Sequence, residues 1–246
     1  MKASAAAHPA TDTAKDISMS NADTPKQGGP LTIDVVSDVV CPWCFVGKKR
    51  LEAALAMAPD IDVEIHWRPY QLDATIPKGG MDRKEYLTRK FGPDGAANMN
   101  SRLSGIGQEV GIPFAFDKIA RSPNTLDAHR LLRWAQMAGT QDAVKERLFQ
   151  LYFIEGKDIG DHKVLADVAE QNGLERAVIE RLLAGDADED EVKGEIETAQ
   201  KIGVTGVPFF IFNSRLGVSG AQSPEVLVSA MRQAMQEEEG AVGSRD

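Results

Sequence analysis

The two cysteines of this chain, Cys41 and Cys44, fall in one run, Ser37-Asp38-Val39-Val40-Cys41-Pro42-Trp43-Cys44. What flanks that run restricts the fold more than any other feature. Upstream, Leu31-Thr32-Ile33-Asp34-Val35-Val36 is short and rich in β-branched residues, the composition of a buried strand. Downstream, Val46, Leu51, Ala54, Leu55 and Ala58 recur at helical spacing until Pro59, with no Gly or Pro between Lys48 and Ala58. The pair therefore sits where a strand hands over to a helix. Pro42 suits the first turn of that helix, where a missing N–H is no loss.

This placement has chemical consequences. The free N–H groups and the positive dipole end at a helix start favour a thiolate at Cys41, and Cys44 lies one turn further in and better shielded. Residues three apart on a helix are neighbours, so the two sulfurs can join without large backbone movement. Thiols in such settings ionise at about 3.5 to 7.5, against about 8.5 for a free cysteine. One sulfur is then expected to attack and the other to resolve. A zinc site would need two more ligands, and His66, His129 and His162 are scattered along the chain. Inert buried thiols are the blander alternative, but both cysteines standing in one motif at a helix start favour redox use.

Composition removes several partners. The 246 residues are 42% hydrophobic, enough for one large domain or two small ones. With 28 Lys and Arg against 37 Asp and Glu, the net charge of −9 repels nucleic-acid backbones and anionic membrane surfaces, so neither is expected as a partner. No apolar run approaches the roughly 18 to 20 residues of a membrane helix. Residues 1–30, rich in Ala, Ser, Thr, Asp and Pro, read as a disordered tail, with Met1 and Met19 both open as starts. That tail has no continuous apolar stretch of about 7 to 15 residues, which an export signal requires. The expected location is the cytoplasm, where a structural disulfide is hard to maintain.

Cys41-Pro42-Trp43-Cys44-Phe45-Val46-Gly47-Lys48, together with Gly203-Val204-Thr205-Gly206-Val207-Pro208-Phe209-Phe210, resembles the DsbA-like thioredoxin superfamily. It is most similar to the cytoplasmic FrnE-type branch of dithiol-disulfide oxidoreductases and isomerases. His66-Trp67-Arg68-Pro69-Tyr70-Gln71-Leu72 and Asn124-Thr125-Leu126-Asp127-Ala128-His129-Arg130-Leu131 extend the resemblance, which runs from Leu31 to Met235.

The fold implied is α/β, a thioredoxin fold (βαβ…ββα) with an inserted all-helical subdomain, and the residue patterns agree. Leu31 to Asp38 and Ile61 to Trp67 read as strands around the first helix. Helical patterns follow over Arg83 to Phe91, Ala96 to Val110, Pro123 to Ala138, Gln141 to Ile154, His162 to Asn172 and Leu174 to Leu183. Glu191 to Ile202 is helical, Pro208 to Asn213 and Leu216 to Ser219 are strands, and Pro224 to Gln236 closes the chain as a helix. The expected divisions are 31–80 and 189–239 for the two parts of the thioredoxin-like domain, 81–188 for the insertion, and 240–246 for a flexible C-terminal tail.

The resemblance also implies roles. Pro208 would be cis and stand beside the cysteines, with Val207 offering its backbone to a bound substrate and Pro42 and Trp43 lining the same place. Thioredoxins carry a buried carboxylate six residues before the first cysteine, and here that position is Val35. Asp38 is the nearest acid for proton transfer, with capping of the helix start as its alternative role. The more oxidising periplasmic relatives have Pro-His between the cysteines. Trp43 carries no charge to stabilise Cys41, so a less oxidising couple is expected.

Relatives such as kappa-class glutathione transferase and 2-hydroxychromene-2-carboxylate isomerase bind glutathione at the edge of the helical domain. This makes Asn124 and His129 candidate contacts and glutathione a candidate co-substrate. For Asn124 a helix cap, and for His129 a hydrogen-bonded structural role, are the competing readings. The acidic run Asp186 to Glu191 reads as a solvated helix start without chemistry.

Three functions follow as expectations. The first is a thiol-disulfide oxidoreductase or isomerase acting on protein or small-molecule thiols and disulfides, as monomer or homodimer, without metal or nucleotide. The second is a glutathione-dependent isomerase or transferase of a small aromatic or polyketide-like substrate, although such relatives usually carry serine in place of Cys41. The third is a non-catalytic peptide-binding chaperone.

Overall fold

Alternate residues of the strand ahead of Cys41 feed two different cores. The computed structural model describes Ala14–Asp16, residues 29–92 and residues 94–243. The chain begins with β1 (Ala14–Asp16), β2 (Leu31–Ser37), α1 (Pro42–Met57) and β3 (Val63–Pro69). There follow β4 (Met81–Asp82), α2 (Arg83–Phe91), α3 (Gly95–Glu109), β5 (Arg121–Ser122), α4 (Leu126–Met137), α5 (Gln141–Phe153), α6 (His162–Gln171) and α7 (Arg176–Ala184). It closes with α8 (Glu189–Lys201), β6 (Phe209–Phe212), β7 (Leu216–Ser219) and α9 (Pro224–Gly243).

Five strands form one sheet in the order β1-β7-β6-β2-β3. β2 and β3 are parallel, joined by α1, and the other pairings are antiparallel. The βαβ half is thus β2-α1-β3 and the ββα half is β6-β7-α9. Ile33, Val35, Phe210 and Phe212 point to one face, where Leu51 and Ala54 of α1 and Leu227 and Met231 of α9 cover them. Val36, Phe209 and Ile211 point to the other, against Ala199 of α8 and Val204. Side chains two apart share a face of a pleated strand, which is why one apolar segment serves both layers.

Helices α2 to α7 lie between β3 and α8. Their core, including Leu131, Leu148, Phe149, Phe153 and Leu165, is continuous with Val39, Cys41, Cys44 and Phe45. Phe45 stacks on Phe149 with centroids 4.9 Å apart. The insertion is therefore packed onto the start of α1. Gln141 fixes α5 to the sheet: its Oε1 accepts from Trp67 N at 2.8 Å and its Nε2 donates to Trp67 O at 3.0 Å. Trp67 Nε1 donates to Asp142 at 2.9 Å.

Several expectations need correction. α4 begins at Leu126, not at Pro123, because Ser122 pairs with Met81 in the two-stranded β4-β5 sheet. That small sheet was not visible in the sequence, since two-residue strands carry no periodicity. The acidic run before α8 is not merely solvated: Asp188, at φ 60°, accepts from Trp134 Nε1 at 2.7 Å and Arg133 Nε at 3.0 Å. Glu189 is buried and pairs with Lys78. Within residues 1–30, Ala14–Asp16 forms an edge strand on β7. Residues 1–13 and 17–28, including Met1 and Met19, lie outside the described residues, as do residues 244–246, while α9 runs on to Gly243.

Candidate active site

Cys41 is the residue that caps α1, with extended backbone (φ −90°, ψ 113°) and Pro42 following at the first helical position. Its carbonyl already accepts from Cys44 N at 3.0 Å, and its own N–H donates to Asp38 O at 3.2 Å. No side chain caps the helix. Both cysteines are free thiols, Cys41 4% exposed and Cys44 fully buried.

The two thiols titrate as a unit. The hydrogen bond shared with Cys44, together with burial, holds the Cys41 proton well above the ordinary thiol range, and the Asp38 charge adds to that. Burial alone would push Cys44 up as well. The Cys41 hydrogen bond, the Lys145 ammonium and the nearby Ser37 hydroxyl outweigh it and bring Cys44 below the ordinary value. Burial and the shared hydrogen bond thus hold Cys41 above the acidic range that a helix start alone implies, whereas the direction at Cys44 is downward. The helix terminus favours an anion at either sulfur, and the inner one also has a cation behind it.

The Val207–Pro208 peptide bond is cis. It places the Val207 carbonyl 3.6 Å from Cys41 Sγ, which donates to it. Gly220 N donates to Pro208 O at 2.8 Å and anchors the loop from the β7 side. Gly47 makes room for this arrangement, because a Cβ there would lie 2.8 Å from Pro208 Cγ. Val40, Trp43, Val207 and Ala221 are half-buried apolar residues packed at the edge of the core that holds the cysteines.

Asp38 and His129 are adjacent and almost fully buried. Asp38 Oδ2 accepts from Leu72 N at 2.8 Å, and Oδ1 lies 3.3 Å from His129 Nε2. The same nitrogen is 2.9 Å from the Tyr70 carbonyl, so Nε2 carries the hydrogen. Asp38 therefore does not cap α1 with its side chain; it is held under the cysteines by the β3–β4 connection. His129 is a bonded core residue in contact with Asp38. Asn124 belongs to a different cluster: Nδ2 donates to Ile76 O at 2.6 Å, and Oδ1 accepts from Gln71 Nε2 and Leu126 N, each at 3.0 Å. It ties the start of α4 to the loop after β3.

Two lysines escaped the sequence reading. Lys48, one turn beyond Cys44, is buried and bridges to Glu52 at 2.6 Å and Asp142 at 3.0 Å, joining α1 to α5. Lys145 is 0% exposed, its charge acts on Cys44, and Nζ has no hydrogen-bond partner among the described residues. A signal existed: Lys145 stands in register with Leu148, Phe149 and Tyr152, on the apolar face of α5. A lysine at such a position is rarely solvated.

The DSBA-like thioredoxin domain model matches residues 32–232. The Bacillus subtilis protein YwbO is 27% identical over 200 residues, covering 81% of this chain and 94% of that protein. Among solved structures, a probable DsbA oxidoreductase from Streptomyces coelicolor is 32% identical and superposes with a TM-score of 0.78, covering 84% of this chain and 91% of the other. The Pseudomonas aeruginosa cytosolic disulfide reductase DsbM, with GSH, is 20% identical with a TM-score of 0.53, covering 85% and 98% of the two chains. With the strand-to-helix dithiol and the neighbouring proline loop on one side of the sheet, the chain belongs to the DsbA-like thioredoxin domain family.

Proposed function

We propose that the protein is a thiol-disulfide oxidoreductase in which Cys41 exchanges with the substrate and Cys44 resolves the mixed disulfide. The observation that carries this reading is the pairing of Cys41, 4% exposed and in contact with the Val207 carbonyl, with a fully enclosed Cys44 at the head of α1. In the reductive direction, the Cys41 proton passes to Cys44 and the Cys41 thiolate attacks a substrate disulfide. The substrate S–S bond breaks, and one half leaves as a thiolate that takes up a proton. Cys44, deprotonated again, then attacks Cys41 Sγ, and the second half leaves on the electron pair of the mixed disulfide. Two electrons pass from the dithiol to the substrate, and the chain is left with a Cys41–Cys44 disulfide.

Binding falls to the rim of the pair. Val207 and Pro208 present backbone to an extended substrate, while Pro42 and Trp43 border the opposite side. Asp38 and His129 act on the pair from below, Asp38 as a charge that can share the proton traffic. Asn124 shapes the loop beside them. The reading needs no metal or nucleotide. Glutathione is the proposed co-substrate that returns the disulfide to the dithiol, in a cytosolic setting, and the structural likeness to the reductase DsbM with GSH supports both. A glutathione-dependent isomerase is the weaker reading, because Cys41 stands where such relatives usually have serine.

The test is reduction of insulin disulfides and refolding of a scrambled disulfide protein, with parent, Cys41→Ser and Cys44→Ser compared. Cys41→Ser is expected to be inactive, and Cys44→Ser to stop at the mixed disulfide with substrate. Parent-level turnover by Cys41→Ser refutes the assignment. Equilibration against glutathione buffers separates a reductase or isomerase, near about −220 to −320 mV, from an oxidant near about −120 mV.

A further inference from the structure

Lys145 is the most anomalous group in the molecule. A fully buried ammonium without hydrogen-bond partners is strongly disfavoured unless a nearby charge compensates it. Its Nζ lies 5.3 Å from the Trp67 ring and 5.0 Å from the Phe149 ring. Phe149 in turn stacks on Phe45, the neighbour of Cys44. Gln141 and Asp142 pin the first turn of α5 to Trp67, so the lysine one turn later is fixed between the Trp67 and Phe149 rings, in the core that continues to Phe45 and Cys44.

The charged groups around it have other partners. Asp142 and Glu146, on its own helix, turn to Lys48 and Lys49 of α1. His129 of α4 is bonded to Asp38 and the Tyr70 carbonyl. His66 on β3 meets Gln136 and Glu64. On α6, His162 pairs with Asp127 and Lys163 with Asp167. The charges that act on Lys145 are those of Cys44, Asp38 and Cys41, which draw its proton in, and Lys48, which repels it.

We propose that Lys145 is a positioning residue of the dithiol: its ammonium holds the Cys44 sulfur as the anion that attacks, and gives up its proton once the disulfide has removed that charge. The proton count supports this. Reduction of one disulfide to two thiols consumes two electrons and two protons. A reduced pair with Cys44 as the anion carries one proton, on Cys41, so a second donor is required. Lys145, next to the sulfur whose charge disappears, supplies it, and the two products leave as neutral thiols. Burial lowers its pKa to about 8, so such a transfer falls within reach of neutral pH. The position six residues before Cys41, occupied by a carboxylate in thioredoxins, is here the apolar Val35; the function has passed to a cation from the inserted helices.

This inference rests on the redox reading of the pair, but its test needs no substrate. Thiolate absorbance of the reduced protein is followed against pH in the parent, in Lys145→Met, which preserves length without charge, and in Lys145→Gln as a second variant. Near-ultraviolet circular dichroism verifies folding, and whichever variant retains the parent's spectrum is read. The first thiol ionisation is expected to move up by about one unit or more, a tenfold loss of thiolate at a given pH. Titration indistinguishable from that of the parent in a folded variant overturns the proposal. A parent that fails to reduce insulin while the shift persists refutes the oxidoreductase reading and supports the charge pairing. A parent that turns over while the variant titrates identically refutes the role of Lys145 alone.

Discussion

The Cys41 sulfur donates its hydrogen to the Val207 carbonyl across 3.6 Å. A carbonyl oxygen welcomes a thiol and repels a thiolate, so the proline loop helps to keep the proton on the outer sulfur until a substrate displaces it. Mild alkylation of the native reduced protein should be slow for this reason, but should modify Cys41, which has some exposed surface, and leave Cys44, which has none. Peptide mapping by mass spectrometry reads the outcome, and label on Cys44 in the folded protein contradicts it.

Asp38 faces Cys41 with a charge that raises the thiol there. Asp38→Asn should shift ionisation of the dithiol to lower pH and speed alkylation near neutrality. It should also lower stability by about 1 to 3 kcal/mol, because the amide cannot accept from both Leu72 N and His129 as the carboxylate does. Urea unfolding and an alkylation pH profile measure the two effects separately.

Gly47 should tolerate no side chain. The added methyl in Gly47→Ala meets Pro208 Cγ at 2.8 Å and Phe210 Cζ at 3.4 Å. Overpacking of this kind costs about 1 to 3 kcal/mol. Because the displaced atoms belong to the loop that carries Val207, the loss should extend to kcat/KM for a peptide disulfide. A variant with unchanged melting and unchanged turnover would show that α1 and the loop adjust freely.

Lys145 should make stability depend on pH in a particular window. Its pKa is about 8 in the folded protein, against the 10.5 of an ordinary lysine, so between those values the unfolded chain binds the extra proton and stability rises with pH. Lys145→Met removes that dependence. Its advantage over the parent should be complete below pH 8, roughly 3 kcal/mol by this linkage, and should vanish by about pH 10.5. Chemical denaturation at a series of pH values checks the sign. A variant less stable than the parent at pH 7 would mean that the ammonium contributes more through its two aromatic neighbours than burial costs it.

Arg130 provides a contrast, because its hydrogen bonds go to Asp127, Leu182, Gly185 and Ala187 and not to the groups around the sulfurs. Its buried guanidinium donates to the carbonyls of Leu182, Gly185 and Ala187 and to Asp127, tying the end of α7 to α4. Arg130→Met should destabilise the protein by about 3 to 5 kcal/mol, through carbonyls left without donors and a carboxylate left without its partner. In a variant that still folds at low temperature, thiolate titration should match the parent. A changed titration would mean that the dithiol senses the packing of the whole insertion.

The strand-to-helix position of Cys41 and Cys44, the two halves of the sheet and the helical nature of the middle were legible because each rests on local periodicity or on a motif. Pro42 and Pro59 bracket the first helix in the sequence, and α1 lies within them. What was not legible depends on partners distant along the chain. The downward pull on the Cys44 thiol comes from the Cys41 hydrogen bond and from Lys145, and the carboxylate of Asp38 is engaged by Leu72 and His129, on elements that only the fold brings together. Asp188 looked like one more acid in a solvated run, and its left-handed backbone and bonds to Arg133 and Trp134 have no local signature. The start of α4 shifted for the same reason, since Ser122 found a β partner at Met81.

The paired hydrogen bonds between the Gln141 amide and the main chain of Trp67 have one more consequence. β3 is the outermost strand of its side of the sheet, and a bare ribbon edge invites a strand from another molecule. An amide that imitates one further residue of strand occupies the adhesive groups at the middle of that edge. Loosening α5 by mutation would uncover a sticky seam at that edge. The grip of α5 on β3 therefore guards the sheet edge as well as seating the helical insertion.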